Sequence, residues 1–353
     1  MDEDDPLIDT VIADRYRIIR KIGEGGMSVI YEAQHVKLMR AFALKGLLPM
    51  LAHNQEAVDR FQREAELIGG LRHPNVVDIS DWVYLPDGRP CMVLEFLHGA
   101  SLMVRLQRGP MSWDAIARIG DQTMSAIALA HRNGITHRDI KPDNIFISID
   151  DSGDEAVKLL DFGVSKLRGV GRLSGVHMML GTPSYMSPEQ ATGKNDLVGP
   201  PTDVWAMGVI LYEMATQQVA FKADGIEQTL AMINNANPYP IGMLRADVPR
   251  AFVELVDRAT VKDPTQRIQT IEELREGLRN ALAPRNAPRL ATPVAGIPVL
   301  APLVKTPPAG AAPTKTPGVT LHAPATSGTR RYWIIGAFVA VATLANLVIA
   351  LVT

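Results

Sequence analysis

The chain has 353 residues, with 36 Lys and Arg against 38 Asp and Glu, and 46% of it is hydrophobic but only 5% aromatic. This composition excludes disorder throughout and leaves room for one large domain or two modest ones. A single cysteine, Cys91, excludes an internal disulfide framework, a multi-Cys zinc site and hence a secreted disulfide scaffold. The net charge of −2 conceals an asymmetry: residues 1–282 hold 30 basic and all 38 acidic side chains, whereas 283–353 hold 6 basic and none acidic. The first part is net acidic without a basic stripe, which argues against nucleic acid as a partner.

In chain order, residues 1–12 are read as an acidic tail, solvated over Asp2-Glu3-Asp4-Asp5, and no basic-then-apolar signal stretch opens the chain. Alternating apolar residues predict strands over 16–22, 29–34 and 42–47. Between the first two stands Gly23-Glu24-Gly25-Gly26-Met27-Ser28-Val29-Ile30, whose glycines let backbone N–H groups approach a polyphosphate. A hairpin turn without ligand is the commoner use of such glycines, and no helix starts after Ser28, which argues against a dinucleotide-binding turn. Ala43-Leu44-Lys45 ends the third strand. An inward Lys there neutralises phosphate oxygens if an acid holds its ammonium, and Glu64, on a helix predicted over 57–71, is the natural acid.

Met92-Val93-Leu94-Glu95-Phe96-Leu97 reads as a buried strand, with Cys91 an inert buried thiol. Helices are predicted over 113–133, 202–216, 228–234, 251–260 and 271–283, so strands come first and helices later in one α+β body over about 13–282. Asp150-Asp151-Ser152-Gly153-Asp154-Glu155 lacks the ligand spacing of a helix–loop–helix calcium site and reads as a solvated turn. His177-Met178-Met179-Leu180 reads as adaptable loop packing rather than a soft-metal site. Between these lie three denser runs. They are His137-Arg138-Asp139-Ile140-Lys141-Pro142-Asp143-Asn144, then Asp161-Phe162-Gly163 17 residues after Asn144, then Gly181-Thr182-Pro183-Ser184-Tyr185-Met186-Ser187-Pro188-Glu189.

Residues 283–331 hold ten prolines and no acid, the composition of an extended tether. Residues 332–352 carry no charge and one strongly polar side chain, Asn346. As a helix they would span roughly 31 Å, enough for a bilayer core. Arg330 and Arg331 precede this run, Tyr332 and Trp333 stand where interfacial aromatics belong, and only Thr353 follows. The reading is a single C-terminal membrane helix with the rest of the chain cytoplasmic.

In this order and at these spacings, the glycine loop, Lys45, Glu64 and the three runs resemble the eukaryotic-type, or Hanks-type, Ser/Thr protein kinase family, and specifically its bacterial membrane-anchored members. The resemblance covers about residues 13–282. It implies the two-lobed protein kinase fold, with a β-rich N-lobe over 13–97 and an α-rich C-lobe over 98–282. ATP and Mg²⁺, or Mn²⁺ in its place, would bind between the lobes. Phosphoryl transfer needs an oriented hydroxyl, neutralised phosphate oxygens and a metal held by hard oxygen ligands. On the resemblance Asp139 takes the first role and Lys141 touches the transferring group. Lys45 with Glu64 holds the phosphates, Asn144 and Asp161 ligate the metal, and the backbone of Gly23, Glu24, Gly25, Gly26, Met27 and Ser28 covers the nucleotide.

The resemblance further places Ile22, Ile30 and Ala43 around the base, the backbone of Glu95 and Leu97 on its edge, and Leu94 as gatekeeper. Glu189 is implied to pair with Arg267, and Asp203 to anchor the catalytic-loop backbone. The Gly181–Glu189 run is implied to dock a peptide substrate, which makes proteins the substrate class, and Lys141 with Thr182 is the Ser/Thr rather than the Tyr pattern. Arg138 implies control by an activation-loop phosphate, and Ser174 is the candidate acceptor because no Thr lies between Gly163 and Gly181. The anchor would hold the kinase at a bacterial plasma membrane and bring copies together as homodimers for trans-autophosphorylation. The rival expectation is a catalytically silent kinase-fold scaffold at the membrane.

Overall fold

The computed structural model describes residues 5–150, 152–162 and 183–283. The expectations placed on Gly163, Ser174, Gly181, Thr182, 284–331 and 332–352 lie outside these residues. Contacts gather the chain into two units, 1–288 and 289–353, and the described residues all belong to the first.

The upper part is a six-stranded antiparallel sheet in the order β1-β2-β3-β4-β6-β5. Its strands are β1 Val11–Ile12, β2 Tyr16–Glu24, β3 Ser28–His35, β4 Ala41–Leu47, β5 Ile79–Tyr84 and β6 Pro90–Glu95. Strand side chains alternate between faces, and here both faces are covered. Val29, Tyr31 and Ala33 on β3 join Phe42 and Leu44 on β4 in an outer cluster, which Leu7 and Ile12 complete. Residues 5–12, ahead of the expected start at 13, are thus joined to the body, with Leu7 and Ile12 buried in this cluster. Parity turns Ala43, Lys45 and Leu47 of β4 to the inner face.

That inner face receives α1, Gln55–Gly70, opened by Asn54 whose side chain accepts from the Ala57 N–H at 3.1 Å. Its buried residues Ala57, Phe61 and Ile68 follow helical spacing. Glu64 falls on the same stripe, so the helix that packs on the sheet also aims a carboxylate at it.

The lower part is helical, with α2 Leu102–Leu106, α3 Trp113–Arg132, α4 Pro188–Ala191, α5 Pro200–Thr216, α6 Ile226–Asn235, α7 Ile241–Leu244, α8 Arg250–Ala259 and α9 Ile271–Leu282. Every residue of α5 from Thr202 to Ala215 is buried, the signature of a helix surrounded by others. Close approach has a visible cause: a Cβ on Gly208 would stand 2.8 Å from Ala259 Cβ, so α5 meets α8 only because that position has none. A small sheet, β7 Gly99–Ser101, β8 Ile145–Ile149 and β9 Glu155–Leu159, roofs this part in the order β7-β8-β9. In the connection between β8 and β9, Asp150 Oδ1 accepts from the Ser152 and Asp154 N–H groups at 2.9 Å each. The expected solvated turn is thus also internally bonded.

Candidate active site

The glycine loop is the turn between β2 and β3. Gly23 pairs with Ile30 and Glu24 with Val29, and a register shift leaves Ile22 as a bulge in β2. Gly25 donates to the Ser28 carbonyl at 2.8 Å, and the Met27 carbonyl accepts from Leu48 N–H at 2.9 Å, which ties the turn back to the end of β4. Glu24 and Gly25 and Gly26 are exposed, while Ile22, Met27, Ser28 and Ile30 are half-buried. Across the sheet Ile30 stands opposite Lys45, and Lys45 opposite Met92. Ala43 stands opposite Leu94, one strand from the chain crossing at Glu95 and Leu97. One inner face therefore brings together most of the residues expected around a nucleotide.

Lys45 Nζ donates to Glu64 Oε1 at 2.8 Å and to Asp161 Oδ1 at 2.7 Å. Three elements meet at one ammonium: β4, α1, and the segment after β9. Burial by itself pushes the Lys45 ammonium toward losing its proton, but the two carboxylates outweigh it and hold its pKa above the usual lysine value. Burial raises Glu64, partly opposed by Lys45 and reinforced by the negative charge of Asp161. The lysine side chain is 7% exposed and that of Asp161 46%, so the cluster is closed on the sheet side and open toward the cleft.

Asp139 and Lys141 lie on the loop between α3 and β8, their side chains 3.2 Å apart at Nζ to Oδ2. This loop has no regular ladder, and its backbone is satisfied by side chains instead. Asp203, at the start of α5, accepts from the N–H of His137 at 2.8 Å and of Arg138 at 2.9 Å, and binds His131 Nε2 at 2.8 Å. Arg138 takes a φ of 65°, a left-handed conformation uncommon for a side chain of its size. Its carbonyl is caught by Gln190 Nε2 at 2.8 Å. Asn144 Nδ2 donates to the Asp139 carbonyl at 2.9 Å, and the Asn144 carbonyl accepts from Leu160 N–H at 2.9 Å, joining the loop to the residue before Asp161. Burial lowers the His137 pKa, against the pull of Asp203, Asp139 and Asp161, and its ring lies 4.9 Å from that of Phe162.

The oxygen donors left over fit a hard divalent cation. Asn144 uses its amide N–H₂ on the loop and keeps its carbonyl oxygen, while Asp161 uses Oδ1 on Lys45 and keeps Oδ2. Among the described residues no group of three or more His, Cys, Asp and Glu gathers as a metal cage. A magnesium ion held by one or two protein oxygens and completed by phosphates needs none. Such an ion would neutralise charge on phosphate oxygens beside Lys45.

Below the loop, Arg267 grips Glu189 with two parallel bonds, Nη1 to Oε1 at 2.9 Å and Nη2 to Oε2 at 3.0 Å. Sequence reading omitted Gln190, although Ser187 and Gln190 stand at capping-box spacing and do close one at the start of α4. The cap leaves the Gln190 N–H₂ pointing back to Arg138. It also omitted His131, whose partner Asp203 is 72 residues away.

Residues 16–277 match the protein kinase domain family. The chain is 37% identical over 277 residues to the probable serine/threonine-protein kinase PknB of Lactococcus lactis, covering 76% of this chain and 42% of that protein. It is 34% identical to the serine/threonine-protein kinase PrkC of Bacillus subtilis over 276 residues, covering 78% of this chain and 42% of the relative. The chain thus spans about two fifths of the length of these curated relatives. Among solved structures, the PknI kinase domain of Mycobacterium tuberculosis superposes with a TM-score of 0.60 at 23% identity, over 77% of this chain and 98% of that one. With the lysine, the two acids and the loop aspartate assembled as described, the chain belongs to the protein kinase family, and the two relatives named above are bacterial serine/threonine-protein kinases.

Proposed function

We propose that this chain transfers the γ-phosphoryl group of Mg-ATP to Ser and Thr hydroxyls of proteins, itself included, while tethered to a bacterial plasma membrane by residues 332–352. The observation that carries the reading is the meeting of Lys45, Glu64 and Asp161 at one ammonium, on the same cleft that Asp139, Lys141 and Asn144 border. ATP supplies the group transferred, and the divalent ion neutralises the charge on its oxygens. Asp139 orients the acceptor hydroxyl and takes its proton, and Lys141 balances charge at the same point. Lys45, held by Glu64, positions phosphate oxygens rather than serving as a base, since its ammonium resists deprotonation.

Arg138 supports regulation by a loop phosphate: its Nε is buried without a hydrogen-bond partner, a donor that an anion would satisfy. Ser174 is the proposed acceptor. Among the described residues no helix is long and apolar enough to cross a membrane, and the tether rests on the composition of 284–352. A silent scaffold is disfavoured because each residue that phosphoryl transfer requires is present.

The test is phosphate incorporation into a generic protein acceptor by the full chain in detergent, beside Asp139→Asn and Lys45→Met. Incorporation on Ser or Thr that both variants abolish is expected. A folded wild type that binds Mg-ATP but transfers nothing would overturn the reading. For the tether, the chain should sediment with membranes and resist alkaline extraction, and release by carbonate would refute it.

A further inference from the structure

One polar junction in this chain is used by none of the steps above. Lys158 is the fourth residue of β9, three before Asp161 on the same run of chain. Glu95 ends β6, where the base is proposed to sit. Lys158 Nζ donates to Glu95 Oε1 at 2.6 Å, and the two side chains are only 18% and 21% exposed. The same Glu95 oxygen accepts the Asp78 N–H at 2.9 Å, and the Glu95 N–H returns a bond to the Asp78 carbonyl at 3.0 Å.

Asp78 is itself anchored from below. Just before it, Val77 N–H donates to the Leu159 carbonyl at 3.0 Å, Leu159 N–H donates to the Asn75 carbonyl at 2.9 Å, and Asn75 Nδ2 reaches the Val157 carbonyl at 2.9 Å. The link between α1 and β5 thus meets β9 in a single parallel bridge, Val76 with Leu159. A single carboxylate therefore joins three pieces: the end of β6, the α1–β5 link and β9. Leu160, between Lys158 and Asp161, is bonded to Asn144. Moving β9 relative to β6 would carry both candidate metal ligands away from the edge that meets the base.

We propose that Glu95 and Lys158 form a latch that positions the two sides of the nucleotide cleft, setting the distance between base edge and metal edge and so nucleotide affinity. This rests on the reading of the cleft as an ATP site. The pair is a positioning pair: neither carboxylate nor ammonium needs to touch the nucleotide. A charge-assisted, part-buried bond is strong enough to bias an opening motion and weak enough to be broken in each cycle.

The test uses the full chain with Lys158→Met, Lys158→Arg and Glu95→Gln, the last of which keeps an oxygen for the Asp78 N–H. Displacement of a fluorescent ATP analogue gives nucleotide affinity, kinetics give KM for Mg-ATP and kcat separately, and thermal melting monitors the fold. Lys158→Met and Glu95→Gln are expected to weaken nucleotide binding and raise KM by about three- to tenfold, the range one such bond commands. Lys158→Arg, which keeps the charged donor, should hold both near wild type, which a purely structural role would not produce. Unchanged affinity and KM in Lys158→Met, or losses that track the melting temperature and are not rescued, would overturn the latch. A wild type that binds nucleotide without transferring phosphate overturns the proposed activity, yet the affinities still decide the latch. A wild type that binds no nucleotide overturns both.

Discussion

Two ion pairs in this molecule differ in what they leave unused. Glu189 and Arg267 are closed: their side chains are 1% and 0% exposed, both carboxylate oxygens are gripped, and the guanidinium spends its remaining N–H groups on the carbonyls of Val261, Pro201 and Lys262. Thr202 Oγ1 donates to the same carboxylate at 2.8 Å. Lys45 with Glu64 and Asp161 is open: each carboxylate is met through one oxygen, and Asp161 is nearly half exposed. A saturated pair holds the architecture, whereas a pair with spare oxygen and ammonium capacity can exchange partners with a ligand. Burial alone therefore does not separate structural from catalytic charge; residual bonding capacity does.

The largest effect that would test this contrast is Arg267→Ala. It strands a buried carboxylate and should cost about 3–5 kcal/mol in urea unfolding, with activity falling only as the fold is lost. Lys45→Met should behave oppositely, lowering phosphate transfer by about 10²–10³-fold while moving the unfolding midpoint much less. The reason is that losing Lys45 strands only Glu64, already raised by burial, and the part-exposed Asp161, whereas losing Arg267 also takes the donors from the carbonyls of Val261, Pro201 and Lys262. Comparable losses of stability in both variants would erase the distinction.

The contrast has a pH signature. Burial tends to raise Glu189, but the Arg267 bonds outweigh it and hold its pKa below the usual 4.5. A carboxylate depressed in the folded state contributes stability above its unfolded value and loses it as pH falls through the folded one, so the pair should fail below about pH 4.5. Glu64 is shifted the other way, so its contribution is full below its unfolded value and is lost as pH rises through the raised one. Unfolding curves should show Glu189→Gln flattening the acid limb and Glu64→Gln leaving that limb in place; the reverse pattern would contradict the assignment. The smallest effect belongs to Arg250 and Glu254, an i to i+4 pair whose side chains are 90% and 59% exposed. Arg250→Ala should change stability by less than about 0.5 kcal/mol by thermal melting, and a larger loss would mean that exposure is a poor guide here.

Much of the architecture was legible from periodicity. The helix expected over 113–133 is Trp113–Arg132, and that over 271–283 is Ile271–Leu282, because long amphipathic runs and caps such as Ser112 and Thr270 act locally. Two short strands were not legible: Ile79–Tyr84 lies at the sheet edge with a single partner, and Gly99–Ser101 is defined only by pairing with β8, far along the chain. The same division runs through the site. Lys45, Glu64, Asp139, Asn144 and Asp161 were named from their order and spacing, and the fold joins Lys45 to both acids and Asn144 to the Asp139 backbone. Gln190 carried only the local capping-box spacing from Ser187, which says nothing of Arg138, and His131 and Lys158 were not named because a lone His on a helix or Lys on a strand carries no signal until its partner is in place.

By itself the sequence determined which chemistry is available, since the residue types for holding phosphate, metal and hydroxyl occur in one order, and it determined the local elements that bear them. Tertiary structure alone decided which charges are saturated and which are left open. That Arg267, beyond its expected pairing with Glu189, spends its other N–H groups on three carbonyls, and that Glu95 answers Lys158 across 63 residues, depends on distances between elements, and no local preference encodes these.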